Sequence, residues 1–125
     1  MRRLGYVSSA TAGSLAGQYI SVAQFSAGSG SYDGSGFFYI CRFIPSSAST
    51  VSGMRFFVGM SSNISAATNV DPSTLTNSIG VGQLSTDATQ LYLCYGGSAA
   101  QTTIALGATY FPGNTLSTTP YELAI

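Results

Sequence analysis

The chain has no lysine, no histidine and no tryptophan. Charged residues make up 6% of its 125 residues, against roughly 25% in an ordinary soluble domain. Without histidine or lysine, most general-base and Schiff-base chemistry has no side chain to perform it. Two cysteines with no histidine do not make an ordinary zinc site. Four arginines against three aspartates and one glutamate leave a net charge of zero, so there is no basic face for a nucleic acid. No apolar run approaches the roughly 18 residues of a membrane span. The reading is therefore of a chain with no catalytic residues, no metal site and no cofactor.

The missing charge is replaced by Ser, Thr, Gly and Tyr. A net charge of zero provides little repulsion between copies. Burial in an interface removes the need for a charged surface, which favours an assembly over a free monomer. The start, "MRRLGYVSSATAG", has no apolar stretch of roughly 7–15 residues behind its arginines, so it does not read as a secretion signal. Synthesis in a reducing cytoplasm is expected, with Cys41 and Cys94 as free, buried thiols.

The patterning predicts an all-β protein. Residues 1–17 read as an irregular leader or arm, and 18–125 as one domain. "QYISVAQF" (18–25) alternates with the period of a strand. "SAGSGSYDGSG" (26–36) is a loop. "FFYICRFI" (37–44) is apolar on both faces and predicts a strand covered on both sides, ended by Pro45. "MRFFVGM" (54–60), "SIGVGQ" (78–83), "TQLYLCYGG" (89–97), "QTTIALG" (101–107) and "YELAI" (121–125) read as further strands. The 89–97 and 101–107 strands form a plausible hairpin, and "YFPGNTLSTTP" (110–120) reads as a long loop. Short strands separated by Gly, Pro and Ser turns imply an antiparallel, jelly-roll-like β-sandwich. The one helical turn lies near 71–76, where Asp71 is a good N-cap and Pro72 suits the first helical position. Asp71 fills that N-terminus, and no lysine follows, so it is no phosphate loop.

The only carboxylates are Asp33, Asp71, Asp87 and Glu122. A polysaccharide-cleaving enzyme needs two that face each other, and Asp87 with Asp33, or Asp87 with Glu122, are the pairings open to it. Eight tyrosines among hydroxyl residues suit stacking on sugars. Tyr32, Asp33, Asp87, Tyr92 and Tyr95 are the candidate surface or glycan contacts. Arg42 and Arg55 interrupt apolar strands. A lone buried guanidinium is costly, so each is expected to reach a carboxylate or carbonyls, or an interface. Tyr121, Leu123 and Ile125 share an apolar face at the end of the chain. That strand is expected at an edge, completed by a neighbouring subunit.

The order "RFFVGM…NVDPSTLTNSIGVGQ…QLYL…ALGATYFPGNT…YELAI", with the leader "RRLGYVSSATAGSLAG" and "GFFYICRF", resembles a family of tailed-bacteriophage tail proteins over nearly the whole chain. The pattern from Arg55 to Gly59 and the "D-P-S-T-L-x-N-x-I-G-x-G" of 71–82 are its most specific parts. The resemblance implies a non-enzymatic virion structural protein, similar in role to tail fibre and receptor-binding components and commonly homotrimeric. Its expected partners are itself, other virion proteins and a host surface glycan, with no nucleic acid and no membrane insertion. Members usually carry an Asp soon after the "IGVG" strand, where this chain has "QLSTD". They also run on past "YEL", so the resemblance implies a sandwich incomplete at its C-terminus. The alternatives are a head decoration or capsid fibre protein and a free lectin-like module.

Overall fold

The computed structural model describes residues 4–9, 11–20, 22, 38–45, 52–63, 68–99, 101–113 and 120–125. Among these residues are six strands: β1 (Ile40–Phe43), β2 (Phe56–Ser61), β3 (Ser78–Leu84), β4 (Asp87–Gly96), β5 (Thr102–Ala105) and β6 (Tyr121–Ala124). A single 3₁₀ turn, Pro72–Thr74, stands where the helical turn is expected. The strands form two antiparallel sheets. One is a four-stranded meander, β2-β3-β4-β5; the other pairs β1 with β6. The chain is thus an all-β antiparallel sandwich, and the first and last strands among the described residues close the second sheet.

The core lies between the sheets. Val81, Leu91 and Leu123 form its buried centre, with Phe43, Phe56, Val58, Leu106 and Tyr121 packed against them. The period-two pattern of β2 works as expected, since Phe56 and Val58 point into this core. At one end an aromatic chain crosses between the sheets. Phe43 lies 6.0 Å from Phe56 and 5.9 Å from Tyr121, and Tyr121 lies 5.7 Å from Phe111, within the range of tilted ring contacts.

The other face of the meander is built on glycine. Gly59 stands opposite Gly80, and Gly80 opposite Cys94. The Phe57 ring lies over Gly59 and Gly80, and Pro72 of the 3₁₀ turn seats on Gly82. Side chains at these glycines would collide with backbone. Their absence lets the turn and the ring close over the sheet and leaves Cys94 fully buried.

Three expectations are corrected. Residues 18–20 and 22 are not in a strand; the other residues of the 18–25 strand, like Tyr32 and Asp33, lie outside the described residues. β1 is covered on one face only. Cys41 and Phe43 turn inward, whereas Phe38 and Ile40 are 76% and 51% exposed. The physical reason is that β1–β6 is the outer layer, with nothing packed on its far side among the described residues. The expected long loop after residue 110 begins as a strand-like segment, because Pro112 bridges Gln90 and Leu91 N–H donates to the Phe111 carbonyl at 2.9 Å.

That segment explains an irregularity in the meander. The β3–β4 register shifts between Gly82↔Tyr92 and Leu84↔Asp87. Gln83 therefore faces residues 88–91 alone, while those residues turn their hydrogen bonds to 111–113 and to Leu106. Such a bulge bends the strand locally. Gln83, legible only as the polar end of a strand, is fully buried there and donates from Nε2 to the Met54 carbonyl at 2.7 Å.

Cys41 and Cys94 are both free. Burial, and secondarily the Asp71 charge, push the Cys94 thiol up from 9.0 to about 11. The folded state then holds a proton that the unfolded state releases. This contribution to stability is complete below pH 9 and is lost as pH rises toward about 11. Urea titrations are expected to show wild type losing about 1 kcal/mol between pH 8 and pH 10 through this group, a loss missing from Cys94→Ala. Parallel decline of the two proteins would refute it.

Candidate functional site

The two carboxylates nearest the β3–β4 turn share a local grammar. Asp71-Pro-Ser73 and Asp87-Ala-Thr89 each place a hydroxyl residue two positions after the aspartate. In the first, Asp71 Oδ1 accepts from Ser73 N–H at 3.1 Å and from the Ser73 hydroxyl at 2.9 Å. In the second, Asp87 Oδ1 accepts from Thr89 N–H at 2.9 Å and from the Thr89 hydroxyl at 2.6 Å. Both are side-chain turns in which an Asp folds back on the backbone two residues on.

The second oxygen of each reaches further. Asp71 Oδ2 accepts from Ser85 N–H at 2.7 Å and the Ser85 hydroxyl at 2.6 Å, tying the 3₁₀ turn to the β3–β4 turn. Asp87 Oδ2 accepts from Gln90 Nε2 at 2.8 Å and the Tyr92 hydroxyl at 2.6 Å, bracing the start of β4. An ionised carboxylate offers about four acceptor positions, and in both residues all are filled.

The electrostatics follow. Burial pushes the Asp71 carboxyl up, but the bonds from Ser85 and Ser73 outweigh it and hold the group below its usual 3.8. The Thr89 hydroxyl, then Tyr92 and Gln90, hold Asp87 well below that value. The same Asp87 contact pushes the Tyr92 phenol upward. Both carboxylates stay charged to low pH with their donors already supplied, so neither is poised to exchange a proton near neutrality.

The expected site residues are therefore divided. Asp87 and Tyr92 meet in one network. Tyr95 is 39% exposed and, three residues along the same strand, points to the opposite face. Tyr92 lies inside β4, and Tyr95 is its next-to-last residue. Arg42 pairs with Glu122 at 2.6 Å across the β1–β6 register, but in solvent, with the two side chains 67% and 51% exposed. Arg42 thus reaches a carboxylate as expected, but the burial behind that expectation is corrected: the pair lies in solvent, and an exposed pair of this kind contributes at most about 1 kcal/mol. Arg55 donates to the Asn69 side chain. Tyr121, Leu123 and Ile125 belong to the protomer's own core. Among the described strands β6 pairs with β1 alone, but truncating it would remove a buried leucine, so stability falls together with any assembly.

Of the five residues whose donors saturate the two carboxylates, Tyr92 is a candidate from sequence and Ser73, Ser85, Thr89 and Gln90 are not. The Asp-x-Ser/Thr spacing was the available signal for two of them. Among the described residues no group of three or more potential metal ligands comes together, and no helix is long and apolar enough to cross a membrane. Comparison of the chain with protein-family models, curated proteins and solved structures finds no match.

Proposed function

We propose that this chain is a structural component of a bacteriophage particle, a tail fibre or spike protein that works by assembling with copies of itself. The observation that carries the reading is the disproportion between core and exposed apolar surface. The buried hydrophobic side chains among the described residues are Val81, Leu91, Cys94 and Leu123. Against these, Leu4, Val7, Leu15, Ile20, Phe38 and Tyr110 stand between 52% and 89% exposed. Exposed apolar side chains, where they gather into a patch, mark interaction sites, and these are the side chains an assembly would cover. The low charge and the resemblance to tail proteins support the same reading. So does the saturation of Asp71 and Asp87, which gives both a bracing role. A free lectin-like module loses its best polar contact by that saturation, because Asp87 has no acceptor left for a sugar hydroxyl.

Two measurements test the proposal. Native mass spectrometry of the full chain at micromolar concentration is expected to find a homotrimer, and a persistent monomer would overturn the assembly reading. Proteomic analysis of particles released by cells that encode the chain is expected to detect it; particles free of it would overturn the virion reading.

A further inference from the structure

Where β3 begins and β4 ends, the meander encloses two polar side chains. Ser78 is 6% exposed, and Gln101, just ahead of β5, is 9% exposed. Ser78 Oγ and both polar atoms of the Gln101 amide, Nε2 and Oε1, have no hydrogen-bond partner among the described residues. Buried polar atoms are nearly always partnered, by protein or by ordered water. Gly96 brings these three together. It stands opposite Ser78 in the β3–β4 register, and directly opposed residues present the same face. On that face a Cβ at Gly96 would lie 3.2 Å from Gln101 Nε2 and 3.3 Å from its Cδ. The amide is therefore folded back over the glycine, toward β3. The backbone around it is tied in place, since Gln101 N–H donates to the Ser73 carbonyl at 3.0 Å and Asn77 N–H to the Gly97 carbonyl at 2.6 Å.

We propose that Ser78, Gly96 and Gln101 form a binding site for one ordered water molecule, which joins the start of β3 to the start of β5 above Gly96. β3 and β5 flank β4 and so lie two strand spacings apart, about 9.5 Å. A serine is too short to cross what the glutamine leaves, and the two side chains are not bonded to each other. The chemistry of the atoms selects water. Ser78 offers a donor and an acceptor, and the amide offers donors at nitrogen and an acceptor oxygen. An anion suits donors alone and a cation acceptors alone, whereas water donates and accepts and so satisfies the mixed set. Exchanging the amide's oxygen and nitrogen leaves this unchanged. A buried water makes about three hydrogen bonds, and three atoms face the site. Glycine at 96 supplies the room, because any side chain there would occupy the space over the strand. Both residues are enclosed within one protomer, so the inference stands apart from the assembly reading.

The test is a crystal structure of the full chain at a resolution that shows ordered water. A water within hydrogen-bond distance of both Ser78 Oγ and the Gln101 amide is the expected result. A direct bond between the two side chains, or no density within reach of both, would overturn the proposal. A double-mutant cycle in urea reads the same link in solution. Ser78 and Gln101 are not bonded to each other, so a shared water is what couples them. Gln101→Met is expected to raise the unfolding equilibrium constant less in a Ser78→Ala background than in wild type, by a factor of about five or more. Strictly additive effects would overturn the shared water.

Discussion

Gly80→Ala is expected to lower the free energy of unfolding by about 3 kcal/mol, a cost in the range of overpacked cores, while Gly97→Ala changes it by less than about 0.5 kcal/mol. The difference lies in what the added methyl meets. At Gly80 a Cβ would lie 2.8 Å from the Gly59 Cα and 2.8 Å from the tip of the Phe57 ring, and would strike the Val58 carbonyl. The ring can move, but the Gly59 backbone and the Val58 carbonyl belong to the neighbouring strand and are fixed by the β2–β3 ladder, which pairs Phe56↔Gln83 through Ser61↔Ser78. Relief requires β2 to move from β3, and β2 carries Phe56 and Val58 into the core. At Gly97 nothing lies within 4 Å. Chemical denaturation of the two variants decides the matter. A Gly80→Ala protein as stable as wild type would show that the close approach of these strands is not needed.

The alternation of glycine in "SIGVGQ" made β3 legible, and the periods of 54–60, 89–97 and 101–107 made its neighbours so, because each strand's pattern is set by a face it buries. The one-turn helix was legible because Asp-Pro-Ser-Thr completes its own cap within four residues. What sequence did not disclose depends on distant pairing. The burial of Gln83 follows from a bulge, and the bulge follows from 111–113 taking the hydrogen bonds of 88–91; nothing near Gln83 announces it. The apolar outer side of "FFYICRFI" promised a covering layer that is missing from the described residues. Strand alternation at 18–20 promised a sheet that these residues do not join.

The same dependence on distant partners sets the value of Asp71. Asp71→Asn is expected to cost about 3 kcal/mol at pH 7, from the loss of charge-assisted hydrogen bonds that are individually worth about 1.5–3 kcal/mol and do not simply add. The amide of asparagine preserves the shape but presents one end as a donor. Whichever way it turns, that end meets donors: Ser85 N–H at one oxygen position or Ser73 N–H at the other. The variant thus loosens either the cap of the 3₁₀ turn or its tie to the β3–β4 turn, and with it the seat of Pro72 on Gly82. Acid should have a related effect on wild type. The folded-state carboxyl is held below its unfolded value of 3.8, so its contribution is fully present above that value and is lost as pH falls through the lower, folded one. Urea titrations at pH 7 and at steps below pH 4 are expected to show the gap between wild type and Asp71→Asn closing as pH falls. Asp87, also depressed, adds a parallel loss to both proteins and leaves the difference to Asp71. A gap that stays constant into strong acid would mean that the charge contributes nothing and that Asp71 acts through shape alone.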